Sequence, residues 1–336
     1  MPSPAQALSR VAGRRALLVG DLILDVYIYG QTARVSREAP VLVVRREGTE
    51  RRLGGAANTA ANLTALGVHT DVLSIVGADD GAKHIKTLLA EMGAHTSGII
   101  EGAGATAVKT RILAGAVGTS RQQVLRLDDE PDAVGTAELC GRLAEQLEAH
   151  AADADVVVLS DYGMGVVDAQ VIEAARRVVK KGIPVCVDSR YRLGEFTGLT
   201  VVTPNVPEAE GQLDFFIDSQ NAAERAGVRL MEKLQGQMVL LTQGRGGMTL
   251  FERGEQSKHV AIAGKGEVTD VTGAGDTVIA TFAAALAGGL GAENGMRLAN
   301  CAAGVVVNKV GAATASPEEI GAWAERWGVE LLPWEK

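Results

Sequence analysis

From residue 134 onward, short apolar runs alternate with helical stretches, and this rhythm restricts the fold more than any other feature of the chain. A helical stretch at 136–149 precedes DVVVLS at 155–160. A helix near 168–181 precedes PVCVDS at 184–189 and LTVVTPN at 199–205. A helix around 221–235 leads to MVLLTQG at 238–244 and MTLFERG at 248–254, and helices from Asp276 and from Glu293 to Val310 close the chain. Strands that are apolar along their whole length need cover on both faces, which helices supply to a parallel sheet. Earlier segments fit the same pattern: ALLVG at 16–20, the small-residue helix in LGGAANTAANLTALG at 53–67, VLSIVG at 72–77 and a helix near 82–92. The expected class is α/β, a doubly wound and mostly parallel sheet with helices on both faces. Gly54-Gly55 reads as a flexible joint within it.

Two segments break the rhythm. Residues 26–51 carry VYIYG, PVLVVRR and TERRL; residues 106–128 carry TAVKTRILAG, a glycine-rich turn and SRQQVLRLDDE. Such β-branched pieces, separated by Gly, Pro and charges, read as antiparallel strands. They predict a small, discontinuous β lid (27–51 and 105–130) on a main α/β domain made of 1–26, 52–104 and 131–336. Tyr27, Tyr29, Val41 and Val43 alternate in the lid. They either pack inside the monomer or pair two lids in a homodimer.

A core of 336 residues needs no disulfides. Cys140, Cys186 and Cys301 are widely spaced and form no CxxC, which points to a reducing compartment and no cysteine zinc site. The net charge of −8 argues against nucleic acid as a partner. The start, MPSPAQALSRVAGRR, lacks the apolar region of a secretory signal, and no apolar run reaches membrane-spanning length. A cytoplasmic protein is expected. Within this acidic chain, Lys109, Arg111, Arg121 and Arg126 concentrate in the lid. They form either a solvated strand face or a pocket for a phosphate already on the substrate.

The chemistry gathers at VTDVTGAGDTVIAT, Val268 to Thr281. Its glycines let backbone N–H groups turn toward one point, and a helix start adds unpaired donors and a positive dipole end. That combination holds an anion, including the charge on a transferring phosphoryl group. Asp276 in the first turn could take the proton of an attacking hydroxyl. Alone, the run reads equally as a glycine loop whose Asp steadies a helix start. Asp21 and Asp25, just past the first strand, could bond sugar hydroxyls or serve as turn and cap residues. Asn58 could bond a sugar hydroxyl or a helix start.

LGGAANTAANLTALG near the start, TPNVPEAE at 203–210 and DVTGAGDTVIA near the end occur in an order that resembles the PfkB/ribokinase family of carbohydrate kinases, over nearly the whole chain. Within it, VGDLILDVYIYGQTARVSREAPVLVV (19–44), KTRILAG with SRQQVLRLD (109–128), LSDYG (159–163) and CAAGVVVNKVG (301–311) look most like the heptose 7-phosphate kinases. Such enzymes move the ATP γ-phosphate to O1 of D-glycero-D-manno-heptose 7-phosphate. The resemblance implies ATP, Mg²⁺ and room for a monovalent cation. It implies Asp276 as base and Gly273, Ala274 and Gly275 as the anion hole. Asn205 and Glu208 would organise Mg²⁺ through water. Thr242, Gly244 and Gly247 would approach ATP, and Asn300 and Asn308 would border the adenine. Asp21, Asp25, Gly54, Gly55, Asn58, Lys109, Arg111, Gln123, Arg126 and Asp188 would meet the sugar phosphate. Family members often dimerise lid to lid.

The chain departs from that subgroup in three places. Met164 stands where the DYxKG run has lysine, Asp188-Ser189-Arg190 replaces Asp-Pro-Lys, and SREAP replaces SPEAP. No nucleotidyltransferase segment follows, so a stand-alone kinase is expected. Rival readings keep the fold with another acceptor, such as fructose 6-phosphate, ribose or a nucleoside, or make the protein a non-catalytic sugar- or nucleotide-binding regulator. An intact Asp276 argues against the regulator. A nicotinamide oxidoreductase fails because no G-x-G-x-x-G follows the first strand.

Overall fold

The computed structural model of the chain describes residues 2–116, 119–131, 134–264 and 269–334. Val268, at the head of the glycine stretch, and part of the glycine-rich turn of 106–128 lie outside the described residues. The strands, in chain order, are β1 (Arg15–Gly20), β2 (Leu22–Val35), β3 (Leu42–Gly55), β4 (His69–Gly77), β5 (His95–Gly102), β6 (Ala107–Gly115), β7 (Gln122–Asp129), β8 (Val156–Asp161), β9 (Val185–Ser189), β10 (Val201–Val202), β11 (Met238–Thr242), β12 (Met248–Glu252) and β13 (Lys258–Val260). Nine of them form one sheet in the order β13-β12-β11-β10-β9-β8-β1-β4-β5; the other four form a second sheet, β3-β2-β6-β7.

The large sheet is parallel from β11 to β5, and β12 and β13 add an antiparallel edge. Its strands alternate between two cores, as the two-residue period requires. Leu18, Val158, Cys186 and Leu240 face one way, with the helices Ala56–Ala65, Asp80–Glu91, Ala274–Ala287 and Ala292–Val306. Leu17, Val157, Val187 and Leu241 face the other way, with Ala137–His150, Ala169–Lys180 and Gln220–Leu234. The architecture is doubly wound and mostly parallel, as expected. No described helix is long and apolar enough to cross a membrane.

Helix starts divide into two kinds. Ser3, Asp79, Thr136, Asp168, Ser219 and Ser316 each accept a first-turn N–H through the side chain. The helices after Gly55, Gly273 and Gly291 have no such cap. The first two of these start at the carboxyl edge of the parallel strands. In open α/β sheets that edge is where ligands bind, beside the point where strand order reverses, here at β1.

Several expectations are corrected. LTVVTPN shrinks to the two residues of β10, because Pro204 has no N–H to donate and Asn205 becomes the N-cap of Val206–Glu210. The Gly54-Gly55 pair is no flexible joint: it ends β3, paired with Ile23 and Leu22. A Cβ on Gly54 would sit 2.6 Å from Asp25 Oδ2, so glycine there admits that carboxylate. Tyr27 is 3% exposed and belongs to the monomer's interior; the exposed large apolar residues of the second sheet and its turns include Val35, Val41, Leu42, Val124, Leu125 and Leu127. Strands β5 and β13 and the helices Pro4–Val11 and Pro317–Arg326 add to the expected elements. Both helices carry Ser-Pro starts with capping boxes, which the sequence did signal.

Candidate active site

A cleft of about 370 Å³ lies between the two sheets at the carboxyl ends of β9, β10 and β11. The large sheet gives it Asp188, Thr203, Asn205, Glu208 and Thr242, and the second sheet gives Asp25, Gly54, Gly55, Lys109, Arg111 and Arg126. Tyr162, Arg190, Thr272, Gly273, Gly275 and Asp276 complete its walls. A wider, open depression of about 1000 Å³ beside the Gln220–Leu234 helix is lined by Glu224, Glu232, Glu252 and Glu255, and it has no comparable uncapped helix start.

Gly273 takes φ +78° and turns the chain into the Ala274–Ala287 helix. The Ala274 N–H bonds to the Val271 carbonyl at 3.2 Å, and Thr277 N–H bonds to the Gly273 carbonyl at 3.0 Å. Among the described residues no acceptor faces the N–H groups of Gly275 and Asp276. The open donors are therefore those of Gly275 and Asp276, while the Ala274 N–H expected in the anion hole is already used. Asp270 steadies the turn: its carboxylate accepts the N–H of Thr272 at 2.9 Å and of Gly311 at 2.8 Å.

Asp276 is buried at the cleft wall with three side-chain donors around it. Asn58 Nδ2 donates to Oδ2 at 2.8 Å; Tyr162 Oη and Thr59 Oγ1 donate to Oδ1 at 2.9 and 3.2 Å. Burial pushes its pKa up to about 6, Asp25 adds to the rise, and the three donors hold it down. A carboxyl in that range is ionised at neutral pH yet basic enough to take a proton.

The remaining expected residues fall into three groups. Asp25, Gly54, Gly55, Lys109, Arg111, Arg126, Asp188, Asn205, Glu208 and Thr242 line the cleft with Gly273, Gly275 and Asp276. Arg111 Nη1 donates to Asp25 Oδ1 at 2.5 Å, Lys109 pairs with Glu130 at 2.9 Å, and Arg126 pairs with Asp128 at 2.6 Å. Arg190 is the cleft cation with no acidic partner among the described residues; it lies 5.9 Å from the Tyr162 ring centre.

A second group sits behind the wall. Asp21 does not reach the cleft: its carboxylate accepts the N–H groups of Tyr162, Met164 and Val166 at 2.7, 3.2 and 3.2 Å. Asn58 is spent on Asp276 rather than open to a sugar. Met164 is buried in the core below the cleft, so the lost lysine position is not a cleft position here.

The third group lies beyond the cleft. Gly247 and Asn300 converge on the Val260–Ala261 segment: a Cβ on Gly247 would meet the Val260 carbonyl, and Asn300 Nδ2 donates to the Ala261 carbonyl at 2.7 Å. Asn308, just past the Ala292–Val306 helix, donates through Nδ2 to the Gly304 carbonyl of that helix, Gly244 is exposed in a tight turn, and Gln123 is exposed on β7. Tyr162, Thr59, Thr203 and Thr272 were not foreseen. Only Tyr162 had a signal, a polar aromatic directly past the end of an apolar strand.

No group of three His, Cys, Asp or Glu side chains suited to a metal occurs among the described residues. Asn205 and Glu208 satisfy each other in a capping box, with both reciprocal bonds at 2.9 Å. Burial and then the nearby Glu208 raise the pKa of Asp188 well above the usual carboxylate value. So thin a donor set fits Mg²⁺, which keeps several waters and binds largely through substrate phosphates.

Comparison with known proteins places the chain in a family. Residues 14–319 match the pfkB family carbohydrate kinase. The chain is 43% identical over 312 residues to the bifunctional protein HldE of Geobacter sulfurreducens, covering 91% of this chain and 62% of that protein. It is 42% identical to the HldE of Methylococcus capsulatus, covering 91% and 63%. The chain thus spans less than two thirds of these relatives. Phosphofructokinase-2 from Escherichia coli, solved with substrates and products, has the same fold at a TM-score of 0.77 and 18% identity, covering 94% and 99%. Arabidopsis thaliana ribokinase, solved with ribose and ATP, matches at 0.71 and 21% identity, covering 93% and 98%.

Proposed function

The chain belongs to the pfkB family of carbohydrate kinases, and from that premise we propose that it moves the γ-phosphoryl group of ATP to O1 of D-glycero-D-manno-heptose 7-phosphate. One observation carries the reading: a buried carboxylate, Asp276, stands in the first turn of an uncapped helix whose free N–H groups share its cleft. The sugar hydroxyl attacks the γ-phosphorus in line. Asp276 accepts its proton as the new O–P bond forms and the bond to the bridging oxygen breaks, with the electron pair leaving on ADP. The N–H groups of Gly275 and Asp276 stabilise the charge spreading over the phosphoryl oxygens. Asn205 and Glu208 would hold Mg²⁺ through water, where the ion neutralises phosphate charge.

The heptose acceptor is supported by the resemblance in residues 19–44, 109–128 and 159–163, by the similarity to HldE proteins, and by cleft cations suited to a second phosphate. Arg190 gives the strongest reason to keep other acceptors in view, because it alters the charge geometry of the cleft wall. The second sheet acts as a lid that excludes water, and its exposed Val41, Leu42, Leu125 and Leu127 suit pairing of two lids. ATP consumption against a panel of sugars and sugar phosphates, with and without added potassium, tests the acceptor and any monovalent-ion requirement. Heptose 7-phosphate is expected to give the highest kcat/KM. A clear preference for fructose 6-phosphate, ribose or a nucleoside would replace it.

A further inference from the structure

We propose that Tyr162 is a positioning residue whose hydroxyl holds Asp276 aimed and ionised for proton abstraction. The proposal rests on the reading of Asp276 as the base. Tyr162 follows the last residue of β8 and is pinned from two sides. Its N–H and those of Met164 and Val166 wrap the Asp21 carboxylate. The neighbouring Asp161 is held by Arg192 Nη2 at 2.6 Å and Ser189 Oγ at 2.7 Å. With the backbone fixed this way, the phenol reaches Asp276 Oδ1 at 2.9 Å.

The surroundings keep that phenol a donor. Burial, then the Asp276 charge, drive its pKa far above its ordinary value, so it stays protonated through neutral pH. Lys109 from the lid and Arg190 from the loop after β9 each lie 5.9 Å from its ring centre. Positive charge beside a phenol strengthens its O–H as a donor. Asp276 itself is faced by Asn58 and Thr59 from the Ala56–Ala65 helix, by Asp25 from β2, and by Asp188 from β9, with Glu208 beyond. The carboxylates favour its protonated form, so donors are what keep the base available. A hydrogen bond to the ionised form lowers a carboxyl pKa, and its loss raises it.

The test is the pH profile of kcat/KM for Tyr162→Phe against wild type at saturating MgATP. The acid limb is expected to move upward by about one to two pH units, with activity approaching wild type on the alkaline side. Replacing Tyr162 by 3-fluorotyrosine, a more acidic and stronger donor, is expected to move the limb downward. An unmoved limb in both variants, or an equal loss at every pH, would overturn the proposal and leave Tyr162 a packing residue. The Asp276→Asn variant separates the two readings. Its near-complete loss at all pH values keeps the base assignment whatever Tyr162 does, and wild-type turnover in it would remove the base and the Tyr162 role together.

Discussion

Asp21 and Asp276 are two buried carboxyls at the same edge of one sheet, both pushed up to about pKa 6 by burial. Their surroundings differ in kind. Asp21 is closed in by three backbone N–H groups of the loop 162–166, with Asp161 the next contributor to its rise. Asp276 is held by three side chains and opens on the cleft. A raised pKa therefore does not mark a catalytic group by itself; what the oxygen faces decides. Asp21 organises the chain that carries Tyr162, and Asp276 is left free to meet a substrate.

The largest expected contrast is in turnover. Asp276→Asn should lose about 10²- to 10⁴-fold in kcat while ATP binding, read by calorimetry, survives. Equal turnover would end the distinction between the two carboxyls.

Stability should move in opposite directions at the two sites. For each group the folded pKa lies above the unfolded one, so its stabilising contribution is full below about pH 4 and is lost as pH rises through about 6. At pH 7 ionising each costs on the order of 3 kcal/mol. Asp276→Asn removes that cost, and the Tyr162 and Thr59 hydroxyls and the Asn58 carboxamide can turn to accept from the new NH₂, so it should raise the melting temperature at pH 7 but not at pH 4. Asp21→Asn removes the charge too, yet it turns an NH₂ toward backbone donors and should destabilise by about 1–3 kcal/mol. Matching shifts in the two variants would show the carboxyls to be equivalent.

The smallest effect concerns the lid. Lys109→Ala and Arg111→Ala together should raise ATP hydrolysis without sugar by a few-fold as water enters the cleft, measured as ADP release. Unchanged hydrolysis would assign both cations to substrate contact alone.

The same contrast explains what was legible in the sequence. Gly273, Gly275 and Asp276 fall within four consecutive residues, and their chemistry follows from a glycine turn opening a helix, so the anion site could be read directly. The doubly wound sheet was equally plain from apolar strands such as 155–160 and 184–189. The partners of Asp276 were not, because Asn58 is 218 residues away and meets it only after folding. A carboxylate past a strand end suits both a ligand and a loop, and for Asp21 only the family resemblance points to the sugar; the three N–H groups around it decide for the loop. The Ala274 N–H was spent within its own turn, a detail of hydrogen-bond geometry that spacing does not carry.

The account stands most directly on where the phosphate lies. Crystals of the protein with Mg²⁺ and a non-hydrolysable ATP analogue should put the γ-phosphate within hydrogen-bond distance, about 3 Å, of the Gly275 and Asp276 amides. A γ-phosphate bound elsewhere, with those amides facing only solvent, would contradict it.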